Sequence, residues 1–146
     1  MKFNEHKKIL KHQLAFELTL KSLKDEVGQM AVNHFKKSFD LQGFNDNPVI
    51  PWKPTKRVRD KRSRGKILVQ TGALKKSLKY RSRVGKRTWS VTVSSPLIYA
   101  NVHNEGLMSG RGAGFKMPKR QFMGNSYLLN NKIQKRIELR IRQAFK

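Results

Sequence analysis

From Asn4 to Asp40 the chain has no proline, and Phe16, Leu20, Leu23, Val27 and Met30, then His34 or Phe35, recur at three- and four-residue spacing. That spacing gathers them on one stripe of an α-helix. It constrains the fold more than any other feature, since a domain built on such a stripe must supply something to cover it. At ~1.5 Å per residue a single helix of this length outruns a compact small domain, so the pattern predicts a break near Gly28 or a separate short helix before Gln13. The stripe reads as core packing ahead of a partner-binding surface.

Helix must stop at Gln42 to Pro54, where Gly43, Asn45-Asp46-Asn47, Pro48, Pro51 and Pro54 forbid regular structure. Trp52, held extended between two prolines, is expected to plug into the domain's own core rather than a neighbouring subunit. Lys53 to Lys66 then carries Arg57, Arg59, Lys61, Arg62, Arg64 and Lys66 with the single acid Asp60 and no apolar period. It reads as a flexible basic arm, able to reach roughly 45–50 Å if extended.

Local signals resume after the arm. Thr71 is expected to cap a short helix from Gly72 to about Lys79, with Leu74 and Leu78 on its buried side. Lys79 to Val84 and Thr88 to Ser94 read as a hairpin around Gly85-Lys86, with Trp89, Val91 and Val93 inward and Ser90, Thr92 and Ser94 outward. A short helix from Ile98 to Glu105 carries Tyr99, Val102 and His103, and the glycine-rich 106–114 stretch is a mobile or tightly turned loop. Phe115 to Met123 is expected as a strand with Pro118 at an edge or bulge. A last helix, capped by Asn125 or Ser126, sets Leu129, Ile133, Ile137, Ile141 and Phe145 against Lys132, Lys135, Arg136, Arg140 and Arg142.

The 146 residues suit a single domain, 1–146, divided into an N-terminal helical region (1–41), the basic arm (53–66) and a remaining core with its C-terminal helix (68–146). The formal net charge is +24, and it is unevenly placed: residues 53–87 hold 15 basic and 1 acidic residue, 116–146 hold 9 and 1, whereas 88–115 balance. Such a charge speaks of anionic partners rather than of fold. Cysteine is absent, which removes disulfides and thiolate metal sites. The charged stretch from Met1 to Lys11 lacks the apolar core of a signal peptide, and no apolar run reaches the ~20 residues of a membrane span, so the reading is a soluble protein made in a cytoplasm.

Nine acids leave little material for catalysis. His103-Asn104-Glu105 has the look of a metal-nuclease fragment but lacks further ligands, so no catalytic residue, metal or cofactor is assigned. The loop from Gly110 to Lys116 lacks the Gly-Lys-Ser/Thr ending of a phosphate loop and serves better for close approach of a neighbouring subunit. No membrane partner is assigned, since the last helix has a stripe no wider than core packing needs and no Trp on it. Thirty-three basic residues do suit phosphate contacts, directed at the backbone because the arm has no aromatic after Trp52.

Three elements then stand in order: Leu-x-x-Thr-Gly-x-Leu-x-x-Ser-Leu from Leu68 to Leu78, Tyr-Ala-x-x-His-x-x-Gly from Tyr99 to Gly106, and Met-Pro-x-Arg-x-Phe-x-Gly from Met117 to Gly124. With Trp52 and the basic linker ahead of them, they resemble the phage virion morphogenesis family of tail-completion proteins from about Pro51 to Phe145. Trp52, Leu68, Thr71, Gly72, Leu74, Tyr99, Ala100, His103, Gly106, Pro118, Arg120, Phe122 and Gly124 occupy the pattern, while Glu105 and Gln121 depart from it. The resemblance implies an α+β fold with N- and C-terminal helices packed on a small antiparallel sheet, and a non-enzymatic virion role in tail completion or head–tail joining. It implies a ring of copies in the virion neck, assembled in the host cytoplasm against portal, adaptor or tail-terminator proteins, with packaged DNA as a further backbone contact. The rival reading, from charge alone, is a non-sequence-specific nucleic-acid-binding protein.

Overall fold

The computed structural model describes residues 3–55, 65–85 and 88–145, with side chains described from Lys7 onward. Helix α1 (Phe3–Leu41) is one unbroken helix of 39 residues, which corrects the expected break. At 1.5 Å per residue it is roughly 58 Å long. Gly28 does not end it, because the ring of Tyr80 lies against the glycine where a Cβ would stand. The glycine is a seat for that ring.

Two very short strands, β1 (Gly43–Phe44) and β2 (Ile50–Pro51), pair antiparallel around the Asn-Pro turn. Helix α2 (Ala73–Ser77) leads into the hairpin β3 (Lys79–Val84) and β4 (Trp89–Ser94), in the expected register range. Helix α3 (Ile98–Glu105) has the predicted bounds, and the glycine-rich loop is turned tightly by β5 (Met108–Ser109) pairing with β6 (Phe115–Lys116). Helix α4 (Tyr127–Ala144) begins at Ser126, whose hydroxyl accepts from the Leu129 N–H at 3.2 Å. The fold is α+β, and its strands form three separate two-stranded antiparallel sheets.

Phe115 to Met123 is not one strand: only Phe115 and Lys116 pair, and Pro118 is exposed outside any ladder. The reason lies in where the backbone donors go, since helix α3 takes them in place of a neighbouring strand. Arg120 N–H donates to the His103 carbonyl at 2.8 Å, and Phe122 and Met123 N–H both donate to Asn104 Oδ1 at 2.9 Å.

Helices α1 and α4 run antiparallel, because Phe16 meets Phe145 (ring centroids 5.7 Å), Glu26 meets Arg136 and Arg140, and His34 meets Ser126. Leu23, Val27, Ala31, Phe35 and Phe39 bury one face of α1. Trp89, Val91 and Val93 of β4 turn to the half-buried side of the hairpin while Ser90, Thr92 and Ser94 face solvent, as alternation predicts. At the centre Phe39 packs on Phe122 (5.1 Å) and edge-on to Trp52 (5.6 Å). Phe39 and Phe122 are fully buried, so each contributes about 2–3 kcal/mol of apolar burial.

Candidate partner-binding site

Helix α3 closes at Gly106, whose left-handed φ of 70° costs a glycine little. A Cβ there would stand 2.9 Å from the Lys119 nitrogen, so the glycine also admits the 117–123 segment. Asn104, directly before Glu105, turns inward to accept the two N–H groups described above and donates from Nδ2 to Glu105 Oε1 at 2.5 Å. Glu105 in turn meets Lys119 Nζ at 3.4 Å. The second and third motif elements are therefore the two halves of one clasp.

A second junction lies on Gln42. Trp52 N–H donates to the Gln42 carbonyl at 2.9 Å, and the Trp52 indole N–H donates to the Gln121 carbonyl at 2.7 Å. Gln42 Nε2 donates to the carbonyls of Phe39 (2.6 Å) and Ile67 (3.2 Å), while its Oε1 accepts from the Ile67 N–H at 2.5 Å. Trp52 and Ile67 are both buried. Trp52 and Ile67, on either side of the basic segment, are thus both bonded to Gln42. Between those anchors residues 53–66 hold eight Lys/Arg and one Asp.

Beside this stem a cleft of about 380 Å³ is lined by Lys66, Leu68, Thr71, Tyr99 and His103 among others. His103 Nδ1 is buried without a hydrogen-bond partner, and burial, then the nearby Arg120, hold the imidazole below its ordinary pKa of 6.5. Arg120 is 5% exposed and has no carboxylate partner among the described residues. Its Nε donates to the Lys53 carbonyl at 3.4 Å, and burial lowers its pKa. A second cleft, of about 580 Å³, is lined by Trp52 with Phe44, Ile50 and Pro51, and by Lys53, Lys116 and Lys119. Among the described residues no three His, Cys, Asp or Glu stand together to hold a metal.

The model of the phage virion morphogenesis family matches residues 2–143. The chain belongs to that family. No curated protein and no solved structure matches it. Membership carries a role in phage virion structure and assembly, and it takes in α1, which bears none of the motif elements. No helix among the described residues is long and apolar enough to cross a membrane.

The phage virion morphogenesis pattern turns out to be mostly interior. Trp52, Leu74, Ala100, Arg120 and Phe122 are buried, and Leu68 is half-buried with a left-handed φ of 59°. Thr71 stands one residue ahead of the expected place: α2 starts at Ala73 with Gly72 (φ 71°) as its N-cap, and the Thr71 hydroxyl accepts from Ala73 N–H at 3.3 Å. Tyr99 is 44% exposed and meets His103 edge-on at 6.2 Å, while Pro118 and Gly124 are exposed. Of the basic residues assigned to the arm, Lys66 is exposed beside the stem, and Arg57, Arg59, Lys61, Arg62 and Arg64 lie outside the described residues. Sequence reading missed Gln42 and Asn104. Asn104 sat in plain view between His103 and Glu105, but nothing local says that its amide turns inward.

Proposed function

We propose that the protein is a structural neck component that completes the tail and joins it to the head, acting as a ring of copies without enzymatic activity. The observation that carries the reading is the family match across 2–143. What supports the assignment of the contact is the stem: two buried residues, Trp52 and Ile67, tie both ends of the basic 53–66 segment to Gln42. That segment reaches a neighbouring subunit, a portal, adaptor or tail-terminator protein, or the DNA of the channel. Its charge of +7 (eight basic, one acidic) seeks a counter-surface. Replacing Arg57, Arg59, Arg62 and Arg64 with Ser is expected to leave the fold intact, by circular dichroism and melting, while infectious yield collapses and unjoined heads and tails accumulate under the electron microscope. Normal virion yield from the variant would refute the assignment.

A further inference from the structure

The β3–β4 hairpin has two unlike faces. Tyr80, Val91 and Val93 are half-buried on the side of α1. On the other face Lys79, Arg81 and Arg83 are exposed, and their register partners are Ser94, Thr92 and Ser90, also exposed. No acid occurs between Asp60 and Glu105. Among the described residues none of these three cations has an ion pair or a side-chain hydrogen bond, whereas Lys75 closes on Asp40, Lys119 on Glu105, and Arg136 and Arg140 on Glu26. The hairpin's cations are left open.

Their arrangement is regular. Outward residues on one strand repeat every ~6.8 Å, so the three cations form a row about 14 Å long, with the hydroxyls in a parallel row ~4.8 Å away. No apolar side chain stands in either row, so a protein partner would find no desolvated anchor of the kind that dominates protein interfaces. A polyanion needs none. The face also lacks an exposed aromatic on which an unpaired base could stack, which favours a duplex over a single strand.

We propose that the outer face of the β3–β4 hairpin binds the phosphate backbone of duplex DNA, Lys79, Arg81 and Arg83 neutralising phosphates and Ser90, Thr92 and Ser94 hydrogen-bonding their oxygens. Phosphate contacts carry no base information, so the binding is independent of sequence. The site is built from hairpin residues alone and does not depend on the neck assignment.

The test is fluorescence anisotropy of a labelled mixed-sequence duplex titrated with the full chain at several salt concentrations. Wild type is compared with K79T/R81T/R83T and with K8Q/K11Q/K21Q, a control that removes the same net charge from exposed positions on α1. Each lost phosphate contact lowers the slope of log K against log salt by about 0.9, so the hairpin variant is expected to lose about 2.7 units of slope and the control none. The single R81T, chosen in case the triple variant misfolds, should lose about 0.9. Equal losses in the hairpin variant and the control would mean that net charge alone binds DNA and would overturn the site, as would an unchanged slope in the hairpin variants. Hairpin-dependent binding of polyglutamate with none of duplex would overturn it in favour of an acidic protein partner.

Discussion

His34 and His103 both sit in helices and both are held by burial below an ordinary pKa of 6.5, yet their surroundings are opposite. Around His34 every polar atom is matched: Nδ1 accepts from Asn45 Nδ2 at 3.1 Å, and Nε2 donates to Ser126 Oγ at 3.0 Å. Asn45 Nδ2 also donates to the His34 carbonyl (2.9 Å), and Ser126 Oγ donates to the Asn45 carbonyl (3.4 Å) while capping α4. This pattern requires the neutral ring with its proton on Nε2. His103 has a buried Nδ1 with no partner and borders a cleft. One histidine locks α1 to the start of α4, whereas the other leaves polar capacity unused beside the arm's stem. Histidines whose pKa values shift the same way are told apart by their partners.

The largest expected effect comes from breaking the lock. Asn45→Ala strands the His34 ring nitrogen and removes the second bond to the His34 carbonyl, and the cost should be about 1–3 kcal/mol by urea denaturation, the range for one buried group left unpaired. A loss below about 0.5 kcal/mol, the size of an ordinary surface change, would erase the contrast.

Acid probes the same lock with a smaller effect. Burial, with Lys132 and Lys37, lowers the His34 pKa, against the opposing pull of the Asn45 backbone and Asp46. The unfolded chain therefore binds the proton better, so the contribution is complete above pH 6.5 and is lost as pH falls from there through the folded pKa. In a His103→Asn background, which removes the other imidazole of lowered pKa, stability should still fall by on the order of 1 kcal/mol per pH unit in that window. A flat profile from pH 7 to 5 would show that His34 is not the titrating group. Asp46 does not blur this window. Its carboxylate is destabilised by burial but held below 3.8 overall by the N–H groups of Leu128, Asn47 and Tyr127, so its loss comes at lower pH.

The smallest effect is expected at the other histidine. His103→Phe removes a nitrogen that has no bond to lose, so the change in stability should stay within about 0.5 kcal/mol. Destabilisation beyond 2 kcal/mol would mean that His103 is a structural histidine like His34 and would end the comparison.

Several elements were legible from local pattern. The β4 alternation, the bounds of α3 and the cap at Ser126 follow from periods and end signals within a few residues. The break expected in α1 failed because Gly28 has a low helix propensity that the Tyr80 ring, 52 residues away in sequence, overrides by packing. The strand expected from Phe115 to Met123 failed because Asn104 replaced a neighbouring strand as acceptor. At the candidate site the basic segment and Trp52 could be read directly, whereas the stem could not.

By itself the sequence determined the helical stripe, the hairpin, the concentration of positive charge before Leu68 and the ordered motif elements, because each is written in composition or short-range spacing. Only the tertiary structure decided that Gln42 ties Ile67 from 25 residues away, that Asn104 clasps Phe122 from 18, and that three cations of β3 share one face without an ion-pair partner among the described residues. A side-chain amide bonded to distant backbone has no periodicity, and whether a charge meets a partner depends on segments far from it in sequence.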